Sequence, residues 1–95
     1  MAAYVLAQLE ITDRDAFAAY SAQVKATVDK YGGRFVVRGG AYEVLEAEFR
    51  ADRVVILAFP DIAAAKRWYG SPEYSPLIPT RQKASKGPII LIEGA

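Results

Sequence analysis

Two segments of this chain of 95 residues are hydrocarbon on both sides. In the run from Val54 to Phe59, Val54, Ile56 and Ala58 oppose Val55, Leu57 and Phe59. Near the end, Ile89 and Leu91 oppose Ile90 and Ile92. Short apolar runs closed by Pro60, or opened by Gly87-Pro88, read as buried strands. A strand that is apolar on both faces needs cover on both. Two helices can cover only one face of a small sheet. The other face requires a second cover.

The remaining segments supply the helices and the other strands. Tyr4 to Ile11 alternates, with Val5, Ala7, Leu9 and Ile11 on one face and Tyr4, Leu6, Gln8 and Glu10 on the other, which predicts a strand. Thr12 or Asp13 then caps a helix whose stripe is Phe17, Tyr20, Val24, Val28 and Tyr31, and Gly32-Gly33 ends it. Arg34 to Arg38 starts a second strand, which Gly39-Gly40 interrupts as a bulge or tight bend. Strand character resumes over Tyr42 to Phe49, and Arg50-Ala51-Asp52 turns it into the strand Arg53 to Phe59 as a hairpin. Asp61 caps a second helix carrying Ile62, Ala65, Trp68 and Tyr69 on its apolar side. Ser71-Pro72-Glu73 predicts a further short helix, limited by Pro76 and Pro79. Arg81 to Lys86 reads as a solvated polar connection into a last strand, Ile89 to Glu93.

The order βαββαβ makes residues 1–95 one α+β domain, a ferredoxin-like sandwich with a four-stranded antiparallel sheet and both helices on one face. The bare face would carry at least six large apolar side chains, more than a soluble monomer tolerates. A second copy, sheet against sheet, is the simplest cover, so a homodimer pairing into a dimeric α/β barrel is expected; the alternative is a two-sided apolar strand at the sheet centre under extra helix.

The formal net charge of +1 gives no reason to expect nucleic acid or an anionic membrane. No apolar run is long enough to span a bilayer, and the first ten residues lack the basic and apolar regions of a signal peptide, so cytoplasmic residence is the default expectation. Cysteine and histidine are both absent, which removes thiolate nucleophiles, zinc ribbons and the commonest general base and metal ligand. No metal and no cofactor are expected. Catalysis, if any, falls to Tyr, Arg, Lys, Trp, Ser, Asp or Glu, and no pattern singles out a catalytic residue.

Six residues are candidates for binding a ligand. Arg38 follows apolar strand residues and precedes two glycines. Its guanidinium suits a carboxylate held in a bidentate fork, or else an internal ion pair with Glu43 or Glu46. Trp68, Tyr69 and Tyr74 bring aromatic rings with polar tips to the end of the second helix, as pocket lining or as core and surface. Ser71 is a cap first. Arg81 is a possible second anion contact. Glu46 and Glu48, two apart on the expected strand, share a face and read as solvated.

The spaced combination Tyr31-Gly32-Gly33-Arg34-Phe35, Val37-Arg38-Gly39-Gly40, Arg53-Val54-Val55, Phe59-Pro60, Trp68-Tyr69 and Ser71-Pro72-Glu73-Tyr74 resembles a small bacterial family catalogued as domain of unknown function 1330. Arg81 stands where that family tends to carry an arginine, whereas Ala58 stands where it often has Glu. The resemblance spans nearly the whole chain and implies a dimeric α/β barrel with no established reaction. Two functions are compatible with these observations. One is a cofactor-independent enzyme acting on a small anionic or aromatic metabolite, and the other is a dimeric module that binds a small molecule or only assembles.

Overall fold

Strand β1 (Ala3–Ile11) is the centre of the sheet in the computed structural model, which describes all 95 residues. It pairs antiparallel with β3 (Arg53–Phe59) on one side and with β5 (Ile89–Glu93) on the other. β2 (Arg34–Arg38) pairs with the outer side of β3, giving the order β2-β3-β1-β5. A two-residue strand, β4 (Ser85–Lys86), continues the β5 edge against Glu10 and Ile11. Gly87 kinks the chain between the two at φ +138°, where a Cβ would lie 1.9 Å from the Gln8 carbonyl oxygen. The edge is therefore one interrupted strand, and the fold is the expected ferredoxin-like α+β arrangement.

Helices α1 (Arg14–Lys30), α2 (Ile62–Tyr69) and α3 (Ile78–Ala84) accompany the sheet. Asp13 caps α1 by accepting from Ala16 N at 3.0 Å, and Asp61 caps α2 by accepting from Ala64 N at 2.8 Å. Each such cap contributes about 1 kcal/mol. Strict alternation in β1 buries Ala3, Val5, Ala7 and Leu9, and the last three meet Phe17, Val24 and Val28 of α1 and Ala64, Ala65 and Trp68 of α2. No helix is long and apolar enough to cross a membrane.

The opposite face of the sheet has no cover. Register places Leu6, Val54, Ile56 and Ile90 side by side there, with Val37 and Ile92 adjoining. Ile90 and Ile92 are about half exposed, at 47% and 52%. The chain extends 33 × 32 × 17 Å, and the short dimension is that of one sheet with one helical layer.

Four local expectations differ from what is found. The segment Tyr42 to Phe49 is no strand: residues 39–52 are irregular and almost wholly exposed. β3 takes β2 and β1 as its two neighbours, so no ladder partner remains for that segment. It closes on itself instead, Tyr42 Oη donating to the Ala51 carbonyl at 2.9 Å with its ring edge-on to Phe49. Glu46 and Glu48 consequently share no strand face. The bulge lies between Phe35 and Val37, not at Gly39-Gly40. Ser71 starts a turn rather than a helix; a 3-10 turn at Ser75–Leu77 leads into α3. Residues 81–84 are the end of α3 rather than a solvated connection, because Pro79 sits in the first turn of that helix, where it needs no N–H partner.

Candidate functional site

Between the sheet and the helices lies a cavity of about 40 Å³. Its floor is built by α1, α3 and the turn after α2. Ser71 makes that turn, its Oγ donating to the Trp68 carbonyl at 2.7 Å and accepting from Tyr74 N at 3.0 Å. The Tyr74 ring is thereby stacked at 4.0 Å on Trp68 and is only 1% exposed. Trp68 is itself fixed, since Nε1 donates to Thr27 Oγ1 at 3.0 Å. Helical spacing in α3 turns Ile78, Arg81 and Ala84 to the same side, and Arg81 ends 6% exposed.

Arg81 Nη1 donates to Tyr74 Oη at 2.9 Å, and the Tyr74 and Tyr20 hydroxyls are 2.8 Å apart. The two phenols bring two protons to a single mutual hydrogen bond, and Tyr74 already accepts from Arg81. The second phenolic proton thus has no acceptor in the protein and is available to a guest. Burial, followed by the adjacent Tyr74 phenol, pushes the Tyr20 pKa far above its ordinary value of 10.0, so Tyr20 is a neutral donor at physiological pH. Burial alone would lower the Arg81 pKa, but the oxygens of Tyr74, Tyr20 and Tyr69 outweigh it and the net direction is upward. The guanidinium stays charged. No carboxylate lies within 4 Å of it, because the three ion pairs of the protein all belong to lysines.

The rim of the cavity carries Arg38 and Arg53. Strict alternation from Phe35 would send Arg38 to the bare face. The extra residue at the bulge turns it back under the helices, opposite Val55. There it lies 4.2 Å from the centre of the Phe35 ring, and its Nη2 donates to the Ser21 carbonyl at 2.8 Å. It has no ion pair with Glu43 or Glu46. Arg53 falls on the covered face by the same two-residue period that buries Leu57 and Phe59, 5.6 Å from the Phe17 ring centre. The close approach beside Gly39 is made by Arg53: a Cβ on that glycine, at φ +69°, would lie 2.9 Å from the Arg53 Cζ.

Of the residues singled out from sequence, Arg38, Trp68, Tyr74 and Arg81 line this one cavity. Tyr69 does not: it is 41% exposed and backs the site from outside, its ring 5.9 Å from that of Tyr74 and 6.1 Å from that of Trp68, with its hydroxyl toward Arg81. Ser71 does not line it either, and its hydroxyl is committed to the turn. Tyr20 and Arg53 went unnoticed as site residues. Tyr20 was visible as the one phenol on the inward stripe of α1 apart from the terminal Tyr31. Arg53 was visible as a charged residue in phase with Val55 and Leu57.

The family model described as Domain of unknown function (DUF1330) matches residues 2–95. The chain belongs to that family. No protein of curated function matches it in sequence. Among solved structures, RPA0582, a protein of unknown function from Rhodopseudomonas palustris, shares 20% identity at a TM-score of 0.80, covering 99% of this chain and 82% of its own. SnoaB, a cofactor-independent oxygenase from Streptomyces nogalater, shares 16% at 0.67, covering 99% and 93%. An antibiotic biosynthesis monooxygenase shares 13% at 0.59, covering 100% and 99%. At these identities the likeness is one of fold, and it places this DUF1330 protein on a ferredoxin-like frame used by oxygenases among others.

Proposed function

We propose that this DUF1330 protein is a homodimer, each protomer of which binds a small organic anion in the cavity between helices and sheet. One observation carries the reading: Arg81 is buried, charged and without a carboxylate neighbour, and the lining of its cavity contains no acidic residue. Burying a guanidinium without a counter-ion costs several kcal/mol, and an anionic guest removes most of that cost. Phe17, Phe35 and Trp68 supply flat apolar walls, which suits an aromatic or similarly planar body.

The chemistry on offer is donation and charge stabilisation. The lining has no carboxylate, imidazole, thiolate or lysine, and Tyr20 is held neutral, so the cavity favours holding an anion over abstracting a proton. This weighs toward a binding module. An enzymatic reading is retained because Arg81 and the free phenolic proton would stabilise negative charge growing on a carbonyl oxygen, and because SnoaB, of like fold, is a cofactor-independent oxygenase. Such a reaction would require a substrate acidic enough to arrive ionised.

The dimer reading is supported by the apolar sheet face, where Ile90 and Ile92 are about half exposed beside Leu6, Val54 and Ile56, a contiguous patch of the kind that marks interaction surfaces. Sedimentation velocity at micromolar concentration is expected to give twice the chain mass, and a concentration-independent single-chain mass would overturn it. Anion binding is tested by thermal shift against benzoate and related carboxylates. The wild-type protein is expected to gain several degrees at saturating ligand and the Arg81→Met variant none. If no aromatic or aliphatic carboxylate stabilises the wild-type protein, the reading fails.

A further inference from the structure

At about 40 Å³ the cavity holds one group the size of a carboxylate, since a water molecule in the liquid occupies about 30 Å³. The body of an organic anion whose acid group sits there extends out of it, past the apolar walls. Four residues of its wall, Phe17, Ser21, Arg38 and Arg53, also line an outer groove of about 460 Å³ along α1. That groove adds Arg14 and the apolar Ile11 and Ala18, and again no acidic residue lines it. Cavity and groove together present Arg14, Arg38, Arg53 and Arg81, none within 4 Å of a carboxylate, in a chain whose net charge is only +1. This concentration of positive charge is a property of the site, not of the composition.

Resting on the anion-binding reading above, we infer that the ligand is a dianion with acid groups at its two ends. One acid group sits on the floor against Arg81 and Tyr74. An apolar middle passes Phe17 and Phe35, and the second acid group lies at the rim on Arg38 and Arg53, with Arg14 beyond. The rim guanidinia are held ready for it. Arg53 is set between the Phe17 ring and the space left by Gly39, and Arg38 lies on the Phe35 ring with one bond to the Ser21 carbonyl. Each keeps further N–H groups for a carboxylate fork. A monoanion satisfies the floor or the rim, and a dianion satisfies both.

Calorimetric titration of the full chain with isosteric probes tests this: para-isobutylbenzoate as the monoanion and para-(carboxymethyl)benzoate as the dianion. The dianion is expected to bind at least about tenfold tighter, the scale of one added charge-assisted contact. The Arg53→Gln and Arg14→Gln variants are expected to reduce the dianion's advantage over the monoanion measured on the same variant. Raised salt is expected to erode the advantage before it weakens monoanion binding, because the outer groove is the wetter end. Equal affinity for the two probes would overturn the dianion inference and leave the organic-anion reading standing. An advantage that survives both rim variants would overturn the assignment of the rim. Binding of neither probe would overturn both readings.

Discussion

On the helix side of the sheet, Phe35, Val55 and Leu57 share their layer with Arg38, Arg53, Arg81 and two phenols. On the opposite side Leu6, Val37, Val54, Ile56, Ile90 and Ile92 form an apolar field, with Gln8, Glu10, Arg34 and Lys86 as its polar company. A core built for stability alone would have the reverse arrangement, since polar groups are least costly where water reaches them. The covered face sacrifices stability for donors that point inward. The bare face keeps hydrocarbon that only contact with another surface makes favourable. The two faces should therefore answer substitution in opposite senses: charge is intolerable on the bare face, and loss of charge is tolerable on the covered one.

The largest effect is expected from Ile56→Lys, at the centre of the bare face. A lysine there places an unpaired charge in the proposed subunit interface. It should weaken dimerisation by roughly a hundredfold to a thousandfold, which corresponds to about 3–4 kcal/mol. Ile56→Val, which keeps the surface apolar, should change it by less than tenfold. Sedimentation equilibrium across a dilution series reads both. If Ile56→Lys assembles like the wild-type protein, the bare face is not the interface and the contrast loses one half.

Next in size is Arg81→Met, which replaces a buried cation by a side chain of similar shape. Taking an uncompensated guanidinium out of the interior removes a desolvation penalty of several kcal/mol, which offsets the lost hydrogen bond to Tyr74, worth roughly 1.5–3 kcal/mol. The melting temperature without ligand should therefore hold or rise while carboxylate binding disappears. A fall of several degrees would mean that Arg81 braces Tyr74 for the sake of the fold, and the covered face would then be an ordinary core.

How much of this contrast could be read from the chain depends on the range of the forces involved. Caps, periods and glycine stops act within a few residues, so Asp13, Asp61, the α1 stripe and the alternation of β1 were legible. The two-sided hydrocarbon of β3 and β5 was legible for the same reason, and with it the bare face. The segment Tyr42 to Phe49 misled because strand composition does not supply a ladder partner, and partners are assigned across the whole sheet. Arg81 to Lys86 misled because its polarity masked a helical repeat of Ile78, Arg81 and Ala84. The site itself was half legible. Arg38 was recognisable as unusual, yet the inward turn that gives it a place in the cavity comes from an extra residue that only the register with β3 reveals. Tyr20 and Arg53 have no local signal beyond phase with their apolar neighbours, and the meeting of Tyr20 with Tyr74 spans 54 residues.

The smallest expected effect concerns protonation. Because folding raises the Tyr20 pKa, the folded state favours the neutral phenol. The contribution to stability is complete below the unfolded value of 10.0 and is lost as pH rises above it, where only the unfolded chain can ionise this residue. Each pH unit beyond that value should remove about 1.4 kcal/mol through this one group. Tyr20→Phe has no such proton to release, so its melting temperature should fall less steeply than that of the wild-type protein above pH 10. Both proteins keep the other five tyrosines, of which only Tyr74 is hydrogen-bonded to the substituted position. Parallel alkaline limbs would show Tyr20 in contact with water and able to ionise in place. The covered face would then no longer be the dry, donor-bearing layer that sets it apart from the hydrocarbon opposite.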